Sequence, residues 1–307
     1  MRNAIQYYYK IFPTNIHQIN NIYKFKINEI KYILYPCDRS DYEIKEIYDL
    51  QIYLAYIGIY CHKIILNVNN EISTRINNLK YVLLEVNIDN RKINIKDIEY
   101  LSNIVVNPQK YSNIKRKNWS ELWIKKIDYL EYQINQFGKK NKKIRESADY
   151  YIGIVENCIA LINNNLERKT RIGITHDRIN MNYTTEEFYN PINFIIDNRI
   201  RDISEYFKSY IYKEIDITQE LNNYITSNNL NHDEIELLFI RILYPSIYID
   251  KCDAILNKIE NEDQLSEIIK KVVIIEKNIK KIYHQLMQNY KLPDIEWLKK
   301  TWKIIPR

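Results

Sequence analysis

Asp177 and Asn182 stand five residues apart, and Asp197 follows at the end of the apolar run Phe194-Ile195-Ile196. Two carboxylates and an amide in this order are parts that metal-assisted phosphoryl transfer uses. One carboxylate orients the attacking hydroxyl, and an Asn–Asp pair holds a magnesium ion. Each residue also has a plainer reading. Asp197 could end a strand and cap the next turn, or pair with Arg199 or Arg201. His176, just before Asp177, is of a type more often hydrogen-bonded to backbone than catalytic.

Elements that could position these residues are legible as patterns. Residues 22–27 and 31–36 read as neighbouring strands joined by Asn28-Glu29. From Ser40 to Gly58 apolar residues recur at helical spacing, with Gly58 as a stop. Residues 62–67 and 79–86 read as two further strands, with Asn69-Asn70 and Asn77-Asn78 as turns. Beyond about residue 95 the pattern is helical. Asn118 with Glu121 suggests a capping box, and Trp119, Leu122, Trp123, Ile127 and Leu130 share a face. Further helices are expected from about Ser147, from about Asn231 to Pro245, and over roughly 263–288, with one β-like island at 194–196. Helical spacing makes Trp119, Trp123, Tyr150 and Tyr151 core residues before it makes them a stacking surface.

Composition narrows the classes. The 307 residues include only four glycines, which disfavours folds built on glycine-dependent turns. The 28 tyrosines, with abundant Ile, Asn and Lys, fit codons rich in A and T. Net charge is +6. The basic clusters Lys115-Arg116-Lys117 and Lys139 to Lys143 border helical patterns and read as solvated loops, so nucleic-acid binding is not expected. The four cysteines form no CxxC pair; Cys158 and Cys252 lie in apolar helical patterns and read as buried free thiols in a reducing compartment. Neither a signal peptide nor a membrane span is expected.

Six segments in order carry a resemblance: WSELWIKKIDYLE (119–131), YYIGIVEN (150–157), THDR (175–178), FIIDNRIRDISEY (194–206), LLFIRILYPSIY (237–248) and LPDIEWL (292–298). Together they resemble the kinase-like spore coat proteins of endospore-forming Firmicutes, the CotS type and its YutH subgroup. The resemblance covers most of residues 110–300; the first part of the chain matches in layout only. It implies an α+β, two-lobed protein-kinase-like fold of the aminoglycoside phosphotransferase or choline kinase kind. The N-terminal lobe would span residues 1–87, strands plus one helix, and the helical C-terminal lobe 88–307. The implied setting is synthesis in the mother cell and a place in the spore coat, with spore coat proteins as partners.

Against that pattern, much of the phosphate-gripping equipment is missing. Glycine lets backbone amides approach phosphates, yet none precedes Gly58. No lysine falls within residues 32–35; Lys31 stands at the edge and reads as an exposed strand lysine, with Glu43 and Glu46 as surface charges. The catalytic loop has two registers. With His176 as the pattern histidine, Arg178 takes the base position and Tyr183 the Asn position, and arginine cannot accept a proton. With Asp177 as base, Asn182 falls at the expected spacing but the histidine is displaced by one. The subgroup's His-x-Arg-like loop favours the first register. Two functions follow. One is a degenerate kinase serving coat assembly by protein–protein contact. The other is an active atypical phosphotransferase that uses ATP and Mg through Asp177, Asn182 and Asp197.

Overall fold

The structure is a computed structural model and describes residues 1–116, 118–165 and 167–299, the Lys139 side chain excepted. Lys117 of the first basic cluster lies outside the described residues. Helix α1 (Arg2–Tyr9) precedes strands β1 (His17–Ile19), β2 (Ile22–Ile27) and β3 (Ile30–Pro36). Helix α2 (Asp41–Tyr56) follows, then β4 (Lys63–Ile65), β5 (Thr74–Ile76), β6 (Leu79–Val86) and α3 (Ile95–Ser102). Helices α4 (Trp119–Phe137) and α5 (Lys142–Asn163) lead into β7 (Ile172–His176), the single-turn α6 (Thr185–Phe188) and β8 (Phe194–Asn198). The rest is helical: α7 (Arg201–Ile211), α8 (Thr218–Ser227), α9 (His232–Leu243), α10 (Ser246–Leu256), α11 (Leu265–Lys270), α12 (Val272–Tyr290) and α13 (Glu296–Lys299). No described helix is long and apolar enough to cross a membrane.

Two compact units result. The first comprises Met1–Lys115, Ile172–Asp177 and Asn182–Asp197. Its sheet runs β1-β2-β3-β6-β4, all antiparallel, with β5 also on β6. Asparagine supplies the turns that glycine would otherwise make. Asn28 and Glu29 both take positive φ (46° and 67°), as do Asn77 and Asn78 (49° and 66°), which is the two-residue hairpin turn that suits the strand twist. Both pairs sit where the sequence placed turns. Strands β1 and β5 were not anticipated, because three residues each are too few to show alternation. One face of the sheet packs Phe25, Leu34, Tyr81 and Leu83 against Ile5 and Tyr9 of α1. Helix α2 starts at a capping box in which Ser40 and Glu43 satisfy each other's backbone amides. Strand β7 lies so close to the end of α3 that a Cβ on Gly173 would stand 2.2 Å from the Ser102 carbonyl oxygen.

The second unit comprises Arg116–Arg171, Arg178–Met181 and Asn198–Arg307, as far as it is described. Asn118 caps α4 by accepting from the Ser120 amide, without the expected reciprocal bond from Glu121. Trp119, Trp123, Ile127 and Leu130 are buried as expected, but Leu122 and Tyr150 are exposed. Tyr150 instead donates to Glu276 at the surface. The helix expected over 263–288 is interrupted at Lys271, between α11 and α12. All four cysteines are buried free thiols, and burial raises the thiol pKa of Cys61 and Cys252 to about 12.

Candidate functional site

His176, the last residue of β7, is almost fully buried. Its Nε2 lies 2.8 Å from the Phe188 carbonyl oxygen. A carbonyl only accepts, so Nε2 carries the proton and donates. The ring packs on Phe188, with centroids 4.4 Å apart. His176 is thus a strand-ending residue that fastens α6. Asp177 follows it and is exposed. Asp197 lies in β8, the hydrogen-bonded neighbour of β7, and is buried. Asn182 is exposed, and its Oδ1 accepts from Lys92 Nζ at 3.0 Å. The one oxygen that a cation would need therefore faces an ammonium. With that oxygen so engaged, Asn182 does not present it to a magnesium ion. Tyr183, the alternative Asn position, accepts from Asn193 Nδ2 at 3.4 Å through its hydroxyl.

The strand lysine has a different fate from the one expected. Lys31 Nζ is bound by Glu186 Oε2, and Lys24 Nζ by Oε1 of the same carboxylate. Register pairs Lys24 with Ile33 and Lys26 with Lys31, so Lys24 and Lys31 share one face of the β2–β3 hairpin. Glu186 is buried. Burial alone would raise its pKa, but the two ammonium groups outweigh that and hold it below the ordinary range. His62 Nε2 donates to the Glu186 carbonyl oxygen at 2.9 Å, and Tyr60 donates to His62 Nδ1 at 3.1 Å. Burial pushes the His62 pKa down to about 4. Neither glutamate of α2 serves Lys31. Glu43 pairs with Arg39 at 3.1 Å and closes the helix cap, whereas Glu46 accepts from the Asn113 and Ile114 amides at 2.9 and 3.1 Å. Between β1 and β2 the chain turns in two asparagines, Asn20 and Asn21, with Ile19 paired to Ile22. A turn this short, carrying side chains, does not lay backbone amides over a phosphate chain.

In the second unit, Arg178 Nε donates to Asp250 Oδ2 at 2.8 Å, and Lys126 binds Oδ1. Burial would lower the Arg178 pKa, but Glu205 and Asp250 overcome it and raise the value, so the group is fixed as a cation. Glu205 is the centre of a buried charged core. It accepts from Lys208 at 3.2 Å, Arg241 at 3.0 Å and Ser246 Oγ at 2.9 Å. Arg241 lies 4.4 Å from the Trp119 ring centroid, and Trp123 stacks on Tyr244 at 4.0 Å. Burial would raise the Glu205 pKa, but Lys208 and Arg241 drive it well below the usual range. For Lys208 burial prevails and brings the value to about 8.

Sequence reasoning missed Lys24, Glu186, Glu205, Lys208 and Asp250. Glu186 lies 162 and 155 residues from its two lysines, and no local pattern links them. Glu205 and Lys208 stand three apart on α7, the spacing of an ordinary surface ion pair, on a helix that is almost wholly buried. His232, Asp233 and Glu236 gather ligand atoms within 4.8 Å. Arg168 pairs with Glu236 at 2.5 Å and the Lys169 amide donates to Asp233 at 2.8 Å, so the group is explained by its own partners.

A family model described as spore coat putative kinase YutH matches residues 2–288. No curated protein sequence matches the chain. Among solved structures the chain is similar to an aminoglycoside phosphotransferase from Alicyclobacillus acidocaldarius, at TM-score 0.67 and 11% identity, covering 95% of this chain and 96% of that one. It is also similar to the amicoumacin kinase hAmiN, at TM-score 0.59 and 16% identity over 92% and 95% of the two chains. Spectinomycin phosphotransferase APH(9)-Ia gives TM-score 0.57 and 11% identity over 94% and 97%. Identities this low show the fold and nothing finer. The fold is the expected α+β, two-lobed kinase-like one of the aminoglycoside phosphotransferase kind, antiparallel strands first and mostly helices after.

Proposed function

The chain belongs to this YutH family of spore coat proteins, and on that premise we propose that it is a degenerate kinase that serves coat assembly through protein–protein contact rather than phosphoryl transfer. The observation that carries this reading is Arg178, held on Asp250 at 2.8 Å. The register with His176 as the pattern histidine puts this permanent cation where the base belongs. The buried, carbonyl-bound His176 at the strand end supports that register. The ammonium beside Asn182 and the two-residue turn after β1 point the same way. Synthesis in the mother cell, incorporation into the coat and coat proteins as partners follow from the family and are part of the proposal.

The test is nucleotide binding by the full chain, followed by thermal shift and calorimetry with ATP and magnesium. The expected result is no binding at millimolar ATP·Mg and no ADP release. Tight binding, with transfer abolished by Asp197→Ala, would establish the alternative, an atypical phosphotransferase. Asp177 is exposed just beyond β7 and would then be the base to test by Asp177→Ala.

A further inference from the structure

A cavity of about 550 Å³ opens in the first unit where helices α1 and α2 meet strands β5 and β6. None of its lining residues belongs to the site described above. Tyr8, Ile44 and Ile72 form its apolar wall. Register pairs Arg75 with Lys80, which sets two lining cations directly opposite each other, where like charges repel. Lys80 has partners: it donates to Asp41 at 2.6 Å and to the Arg39 carbonyl oxygen at 2.9 Å. The Asp41 carboxyl is held below its ordinary range by Lys80 and, more weakly, by Arg75. Among the described residues, no carboxylate forms an ion pair with Arg75. Glu71 also lines the cavity, and its side chain has one donor among the described residues, Asn67 Nδ2 at 2.9 Å from Oε2. The wall that carries Glu71 is preformed. Buried Asn67 accepts from the Asn69 and Glu71 amides at 2.9 and 3.0 Å, and its Nδ2 also reaches Thr74 Oγ1 at 3.1 Å. The Val68 amide donates to the Tyr8 carbonyl oxygen at 2.8 Å, and the Tyr9 hydroxyl meets Thr74 Oγ1 at 2.9 Å. The loop is thus tied to both α1 and β5.

We propose that this cavity binds a short apolar peptide by its two charged ends, the carboxylate on Arg75 and the ammonium on Glu71. A guanidinium takes a carboxylate through two parallel hydrogen bonds. Glu71 supplies the charge that an ammonium needs and repels a ligand that is only anionic. Tyr8, Ile44 and Ile72 give an apolar side chain a surface to cover. Asp41 and Glu71 balance Arg75 and Lys80, so a zwitterion enters without leaving a net charge behind. Pockets of about 300–1,000 Å³ take drug-sized ligands, so this volume suits about two or three residues rather than one amino acid. The inference goes beyond the degenerate-kinase reading and does not depend on it.

The full-length chain is titrated calorimetrically with the dipeptide leucyl-leucine, its N-acetyl form, its C-terminal amide and, separately, inorganic phosphate. The expected result is saturable binding of the free dipeptide, weakened at least about tenfold by acetylation and again by amidation. Arg75→Met should weaken the free dipeptide by a similar factor, and amidating the ligand should then cost nothing more. Glu71→Gln should pair with acetylation in the same way, since its amide oxygen can still accept from Asn67. Absence of saturable binding up to about 10 mM dipeptide, a range in which contacts of this strength would show, overturns the proposal. So does binding that neither capping group changes, or phosphate bound more tightly than the dipeptide, which would assign Arg75 to a phosphate instead. The ligand series on wild type needs no variant, so the proposal stays falsifiable should Arg75→Met or Glu71→Gln not fold. ATP·Mg titration tests the degenerate-kinase reading separately, and neither result decides the other.

Discussion

Arg178 Nε donates to Asp250 Oδ2 at 2.8 Å, across 72 residues of chain, and ties the residue after Asp177 to helix α10. Both side chains are half-exposed, so the bond is worth about 1 kcal/mol rather than what the raised Arg178 pKa alone would suggest. Its consequence is chemical. Restoring a carboxylate by Arg178→Asp should not restore transfer, because the new charge replaces a cation beside Asp250 and Glu205 and leaves Asp250 with Lys126 alone of the two cations described on it. The expected outcome is a lowered Tm and no magnesium-dependent ADP release above wild type. Release that appears in this variant would show that the rest of the apparatus is intact.

Glu205 separates a structural core from a catalytic one. Glu205→Ala leaves Lys208 and Arg241 buried without their shared carboxylate. Breaking a buried pair this way costs about 3–5 kcal/mol. Chemical denaturation should show the midpoint falling with an unchanged slope. A loss below about 1 kcal/mol, the range of surface pairs, would mean that the core relaxes around the missing charge.

The division between what could be read and what could not follows contact distance along the chain. Asn28-Glu29, Asn77-Asn78, the α2 span and the strand ending near Asp197 rest on neighbouring residues, and all appear in the fold. The Lys24–Glu186–Lys31 trio and the Arg178–Asp250 bond depend on side chains 72 to 162 residues apart. No periodicity reports such pairs. Lys31 therefore looked like an exposed lysine when it is an ion-paired one. Strand β7 was missed for a related reason: it is buried on both sides and too short to alternate.

Two buried groups predict acid sensitivity in separate pH windows. His62 has a folded pKa of about 4 against 6.5 for the free group. Between these values the unfolded chain binds a proton that the folded chain refuses, so stability falls as pH drops from 6.5 to 4, by up to about 3 kcal/mol. Burial would raise the Glu234 pKa, but Arg171 and Arg199 bring it down to about 2, against 4.5 for the free group. Its stabilisation is complete above 4.5 and is lost as pH falls toward 2, again by up to about 3 kcal/mol. Urea midpoints measured from pH 7 to 2.5 should fall in both windows. His62→Gln should flatten the upper one and leave the lower, and Glu234→Gln should lessen the lower one, which Glu205 and Glu186 share, and leave the upper. A single decline that both variants leave unchanged would assign the acid limb to other groups.

Gly173 marks a close backbone approach in the first unit. A methyl group there would stand 2.2 Å from the Ser102 carbonyl oxygen and 3.0 Å from its carbon, both backbone atoms at the end of α3 that cannot swing aside as a side chain would. Gly173→Ala must therefore separate β7 from α3, with β7 carrying His176 and leading directly to Asp177. Overpacking of this severity costs about 3 kcal/mol or more. The expected outcome is a sharp loss of Tm, or recovery only as an aggregate. Gly153→Ala is the control. Beyond its chain neighbours and the backbone of its own helix turn, no described atom lies within 4 Å of the new methyl group on α5, and replacing a mid-helix glycine should stabilise by up to about 1 kcal/mol. Equal Tm values for the two variants would show that β7 and α3 are not held at this distance.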